Sequence, residues 1–124
     1  MRDKKGFTLA ELLVVVAIIG VLVAISIPIF TSQLHKAEVA ADWANVRSYY
    51  SQLQYDFMET GTVKDEYMKP WGGAGLTSFQ LTGQTVNLKA GCLWISPESN
   101  NGGYNLLYAC NSYHGECKLM LPED

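Results

Sequence analysis

The chain has 124 residues, is 48% hydrophobic, and carries a net charge of −3 that is unevenly spread. An acidic balance of this kind gives no support for binding nucleic acid by wholesale neutralisation of phosphates. The length allows one domain at most, and its first quarter is too apolar to belong to an ordinary soluble core, so roughly ninety residues remain for a body of marginal stability.

Residues 1–6, MRDKKG, hold Arg2, Lys4 and Lys5 with Asp3 as the single acid; removing them takes away a net +2 and leaves −5. From Leu12 to Leu34 there are 23 residues without Asp, Glu, Lys, Arg or His. At about 1.5 Å per residue a helix of that length spans roughly 34 Å, enough for the ~30 Å hydrocarbon core of a bilayer. The basic cluster ahead of it predicts a cytoplasmic N-terminus and a body carried across the membrane. Ala24-Ile25-Ser26 has the small-x-small form of a secretory cleavage site. Two features oppose that use: Glu11 interrupts the junction between the basic and apolar regions, and the apolar run continues through Ile27, Ile29 and Phe30. A plain signal anchor accounts for length and charge bias but leaves Glu11 without a purpose, and an unpaired carboxylate in hydrocarbon is costly.

Pro28 removes a helical hydrogen bond, and Gly20 weakens the same segment by about 1 kcal/mol relative to alanine. A kink or melted turn is expected between them. His35 and Lys36 end the apolar run and mark the outer interface. Beyond them Leu34, Ala37, Ala41, Ala44, Leu53 and Phe57 recur at helical spacings, which predicts an amphipathic continuation with one buried stripe. The helix is expected to run from Phe7 to about Glu59, with Gly61 as its stop signal.

KDEYMKPWGGAG then reads as a loop, in which adjacent Asp65 and Glu66 are solvated acids and Trp71 tucks against the helix. LTSFQLT and TVNLKA around Gly83-Gln84 read as a hairpin whose turn begins with glycine. CLWIS, YNLLYAC and ECKLML are further strand-like runs. The fold class predicted is α+β: a long N-terminal helix on a small antiparallel sheet of about four strands.

Cys92, Cys110 and Cys117 lie in the last third, and three thiols allow one intramolecular pair at most. With His114 they could form a zinc set, but the spacing lacks a C-x-x-C knuckle and an exported body favours oxidation, so no metal is expected. A cysteine nucleophile beside His114 has no supporting signature. No phosphate loop, paired-acid motif or redox C-x-x-C is present either, so no enzyme and no cofactor is expected.

The stretch Lys4-Lys5-Gly6-Phe7-Thr8-Leu9-Ala10-Glu11 resembles the processing site of class III signal peptides, those of type IV prepilins and the related pseudopilins. The resemblance runs continuously through Phe30, with Gly20 and Pro28 where that family usually has its glycine and proline. In that family a membrane peptidase cuts after the glycine and N-methylates the new first residue. The resemblance therefore implies cleavage between Gly6 and Phe7, methylation of Phe7, and an assembly role for Glu11. Gly6 offers the peptidase a backbone without a Cβ. The freed amine of Phe7 is positive and could pair with Glu11 of a staggered neighbour.

The resemblance also implies unwinding near Gly20 and Pro28 in the filament. For the disulfide it implies one closing the C-terminal region, Cys92 to Cys117 or Cys110 to Cys117. The division expected is a cleaved leader at 1–6, a membrane and filament-core helix at 7–34, an amphipathic continuation at 35–60 and a β-rich head at 61–124. The function implied is a structural subunit of a bacterial type IV pilus, or alternatively a pseudopilin of a type II secretion or competence (DNA-uptake) pseudopilus. Its partners would be other copies of itself, the prepilin peptidase, the assembly platform and its ATPase, and the membrane before assembly. No direct nucleic-acid partner is implied. The precursor would cross the inner membrane once and then enter an extracellular fibre.

Overall fold

A computed structural model describes residue 6 and residues 8–99, 102–111 and 115–123. Helix α1 spans Leu9–Thr60, and the chain divides into two compact units, Met1–His35 and Lys36–Asp124. In the first unit the large apolar side chains from Leu9 to Leu34 all lie exposed, between 47% and 75%. By length and composition α1 can cross a membrane. Gly61, at φ 76°, ends it, and its N–H bonds to the Phe57 carbonyl at 2.6 Å; a left-handed residue closing the last turn is what glycine supplies without strain.

In the second unit α1 buries Val39, Asp42, Val46, Tyr49 and Leu53, spaced three and four apart along one face. This corrects the expected stripe. Leu53 belongs to it and Phe57 packs at its edge, but Leu34, Ala37 and Ala44 are exposed. An apolar-only pattern passes over Asp42, and without that position the stripe shifts to a neighbouring face of alanines.

Five strands form among the described residues, in two antiparallel sheets rather than one sheet of about four. Strands β1 (Ser78–Leu81) and β2 (Gln84–Asn87) make a hairpin. Its turn is Thr82-Gly83, one residue earlier than expected, with φ 49° and 84°; positive φ at both central residues is the geometry that suits the twist of a two-residue hairpin. Phe79 of β1 stacks on Tyr49 of α1 with ring centroids 4.3 Å apart.

Strands β3 (Gly91–Pro97), β4 (Tyr104–Cys110) and β5 (Leu119–Leu121) form the second sheet in that order. Leu93 pairs with Tyr108, which pairs with Leu119; Ile95 pairs with Leu106, which pairs with Leu121. All six are buried in one core with Val39, Val46, Tyr49 and Leu53, as strand alternation requires. The free edge of β3 is covered by the 69–76 segment, through paired hydrogen bonds of Lys69 with Ile95 and Leu76 with Leu93. That cover blunts an otherwise open template for strand addition. Trp71, in this segment, is 57% exposed and packs against Trp94 of β3, not against the helix.

Candidate assembly interface

Helix α1 starts with a reciprocal cap. The Thr8 hydroxyl accepts the Glu11 N–H at 3.1 Å and donates to Glu11 Oε1 at 3.2 Å, while the Thr8 carbonyl accepts the Leu12 N–H at 3.1 Å. The first N–H groups of a helix have no intrahelical partner, and Thr-x-x-Glu satisfies one of them while placing a carboxylate at the positive end of the helix dipole. Glu11 is therefore held by its own helix, a role the sequence signature Thr8-Leu9-Ala10-Glu11 announces in retrospect. A Cβ at Gly6 would meet nothing within 4 Å, so no packing among the described residues demands glycine there. Phe7 lies outside the described residues.

Through the apolar stretch the backbone is helical without a break, Gly20 and Pro28 included. The melted turn expected between them is thus not present in the single chain. Turns on either side of Pro28 keep their own bonding, and the hydroxyls nearby turn inward to backbone. Ser26 Oγ donates to the Leu22 carbonyl at 2.7 Å and Thr31 Oγ1 to the Ile27 carbonyl at 2.9 Å. Such bonds satisfy hydroxyls without water, as a hydrocarbon environment requires. A Cβ at Gly20 also would meet nothing within 4 Å.

In the second unit the polar feature of greatest consequence is Asp42, fully buried. Its Oδ1 accepts the Lys89 N–H at 2.8 Å; its Oδ2 accepts the Ala90 N–H at 2.8 Å and the Tyr108 hydroxyl at 2.6 Å. A buried carboxylate is tolerable when its lone pairs are occupied in this way. Burial, the bond to Asp42 and the charge of Asp42 all push the Tyr108 phenol upward. Burial also pushes Tyr49 up to about 12, helped by Tyr67, Tyr104 and Glu66. Lys64, whose ammonium lies 3.1 Å from Asp56, is held above the usual lysine value by the hydrogen bond and charge of that acid. Two further side chains fasten loops to the body: Gln54 Oε1 accepts the Tyr104 N–H at 2.8 Å, and the Tyr104 hydroxyl accepts the Lys64 N–H at 2.8 Å.

Cys110 and Cys117 form a disulfide across a sequence separation of 7, leaving Cys92 free and half-buried. With two of the three sulfurs bonded to each other, the zinc set and the cysteine nucleophile considered from sequence have no thiolates at 110 and 117. Among the described residues no group of three or more His, Cys, Asp or Glu could hold a metal; His114 lies outside them.

Residues 1–27 match a family model described as the prokaryotic N-terminal methylation motif. The type IV narrow pilus major component PilA5 of Thermus thermophilus is 42% identical over 73 residues, 56% of this chain and 63% of that protein. The type IV major fimbrial protein FimA of Dichelobacter nodosus is 33% identical over 90 residues, 70% of this chain and 55% of that protein. In its methylation motif and in these matched segments the chain is similar to type IV pilins. A third pilin, the type IV major pilin protein PilA of Myxococcus xanthus, is 40% identical over 63 residues, covering 51% of this chain and 27% of that protein. The chain thus spans less than two thirds of the length of these curated relatives. No solved structure matches it significantly. In the apolar part of α1 the large side chains from Leu9 to Leu34 have no cover from the described residues.

Proposed function

We propose that the chain is the precursor of a fibre subunit, cut after Gly6, methylated at Phe7 and polymerised through the apolar part of α1. The observation that carries this reading is the joint occurrence of the methylation motif at residues 1–27 and a helical stretch whose large apolar residues are all exposed. Burying that stretch at roughly 25 cal/mol per Å² is a large driving force. A bilayer satisfies it before assembly and neighbouring copies satisfy it afterward.

In the precursor, the basic leader holds the N-terminus on the cytoplasmic side while the helix spans the membrane. Cleavage by the prepilin peptidase frees the Phe7 amine. An assembly platform and its ATPase then lift the subunit into the growing fibre at the cell surface, where Glu11 pairs with the Phe7 amine of a neighbour. The Thr8 cap engages one carboxylate oxygen, Oε1, and directs the side chain along the start of the helix, so the amine can be received without dismantling the cap. Gly20 and Pro28 allow the intervening turns to unwind in the fibre. A pseudopilus for secretion or DNA uptake would use the same chemistry, but the relatives' names, which denote major components of fibres, favour the pilus.

Expression of the full-length precursor in membranes with and without a prepilin peptidase tests the first step. The product is expected to begin at Phe7, and Gly6→Leu to stay uncut; a product cut near Ser26, or none at all, contradicts the reading.

A further inference from the structure

The face of the β3–β4–β5 sheet turned away from the core carries an aromatic construction that the fold itself does not require. Alternation along the strands sends Cys92, Trp94, Leu107 and Met120 to that face, with Trp94 paired to Leu107 and Leu107 to Met120. Trp71 stands edge-on to Trp94, with ring centroids 4.6 Å apart and planes at 66°. The Trp94 indole N–H donates to the Gly73 carbonyl at 3.0 Å and so tethers the turn that bears Trp71. Gly75 lets this segment lie close to β3, since a Cβ there would stand 2.5 Å from the Cys92 Cβ and 3.0 Å from the Trp94 ring. Held from two sides, the Trp71 indole remains 57% exposed.

That indole walls a concavity of about 270 Å³, completed by Leu107, Ala109 and Lys118. The Lys118 side chain makes no ion pair and no hydrogen bond among the described residues. We propose that this concavity binds one carboxylated pyranose unit of an acidic glycan. The C–H face of a pyranose is apolar and stacks on an indole, while its hydroxyl rim stays in water, as aromatic residues with one apolar and one wet side favour. Leu107 and Ala109 form an apolar floor, and Lys118 supplies a charge-assisted contact for a single carboxylate. The volume of about 270 Å³ lies just below the range of drug-sized ligand sites, about 300 to 1,000 Å³, and fits one ring rather than several. Single-stranded nucleic acid also stacks on aromatic residues, but it needs a groove of cations tracking successive phosphates. Here one lysine stands on a chain of net charge −5 after leader removal.

The site stands on the geometry of the head; its accessibility in the assembled state rests on the fibre reading above. The proposal places the sheet face turned away from the 36–60 part of α1 on the outside of the fibre. Each subunit then adds one site, and weak single sites gain avidity by repetition.

Isothermal titration calorimetry of the full-length chain in detergent micelles tests the site, with trigalacturonate as the acidic probe and its methyl ester as the neutral control. Saturable binding of the acid is expected. The ester, or the Lys118→Gln variant, should bind about tenfold more weakly, the scale of one charge-assisted contact. Trp71→Ala should lose binding while Trp71→Phe retains a weakened form, with unchanged circular dichroism in all three variants. The proposal is overturned by absence of saturable binding, by Trp71→Ala binding as the wild type does, or by oligothymidylate binding more tightly than trigalacturonate. Repeating the titration on sheared fibres separates the two readings. Binding in micelles but not on fibres overturns the outward placement, whereas failure to obtain fibres contradicts the pilus reading and leaves the micelle result to decide the site.

Discussion

The phenol of Tyr108 on β4 donates a 2.6 Å hydrogen bond to the carboxylate of Asp42 on α1, 66 residues earlier in the chain. The same carboxylate takes the backbone N–H groups of Lys89 and Ala90, just ahead of β3. One buried acid thereby fixes the rotation of the helix against both the loop and the sheet, at the level where the core begins.

Replacing that acid should therefore damage the head more than most single changes. Asp42→Ala leaves two backbone donors and a phenol buried without an acceptor, and a loss of about 3 kcal/mol or more is expected. Tyr108→Phe, which leaves the carboxylate its two backbone donors, should cost about 1–2 kcal/mol. In a body of this size each kcal/mol moves the melting point by about 4–8 °C. Near-ultraviolet melts of the full-length chain in micelles would show this; Asp42→Ala melting within a degree or two of the wild type would refute the anchoring role.

Alkali should loosen the same region. Tyr49 titrates at about 12 in the folded head and Tyr108 is raised as well, against about 10 for an unfolded tyrosine. Below about pH 10 both states hold these protons and the contribution is fully present. Above it the unfolded chain releases protons that the folded one retains, so stability falls as pH rises through the folded values. Tyrosinate absorbance is expected to rise in two stages, exposed phenols first and the buried ones together with unfolding. Tyr108→Phe should show a shallower decline. A single transition that includes all tyrosines while the near-ultraviolet signal stays native would contradict this.

The Cys110–Cys117 bond closes a short loop whose entropy loss in the unfolded state is worth about 2–3 kcal/mol. The Cys110→Ser, Cys117→Ser double variant should lose about that much. Peptide mapping of the exported, non-reduced protein should find one labelled thiol per chain, at Cys92. A peptide joining Cys92 to Cys117 would show a different pairing.

Glu11 takes part in the Thr8 cap, and substitution can separate that contact from the proposed pairing with a neighbour's amine. Glutamine keeps the hydrogen-bonding reach to Thr8 but not the charge, whereas alanine loses both. Both variants should still be cut after Gly6. Glu11→Gln should assemble poorly, close to Glu11→Ala, if the carboxylate pairs with a neighbour's amine. Thr8→Ala, which costs about 1 kcal/mol of capping, should impair assembly less than either. Fibre yield measured on shear fractions decides between the two: normal yield from Glu11→Gln would leave Glu11 with the cap alone.

The helix was legible along nearly its whole length, expected at 7–59 and found at Leu9–Thr60, because hydropathy there is extreme and Gly61 is a strong stop. Its buried face was not. Asp42 sits on the buried stripe, and a carboxylate reads as surface until its three donors, one of them 66 residues away, are in view. The strand-like runs were legible from alternation, but their division into two sheets depends on the 69–76 segment pairing with β3. Nothing local in KPWGGAGL signals that contact. The processing motif was legible as a constellation, while the Thr8–Glu11 cap, written in four adjacent residues, was eclipsed by the larger pattern around it. The free Cys92 could not be chosen from spacing, since both disulfide partners of Cys117 were compatible with antiparallel strands.

The most direct test of the central claim is N-terminal mass analysis of surface fibres sheared from cells that express this chain. The account predicts abundant fibres composed of a chain that begins with N-methylated Phe7. Fibres that lack the chain, or a chain found only in the membrane and still beginning at Met1, would contradict it.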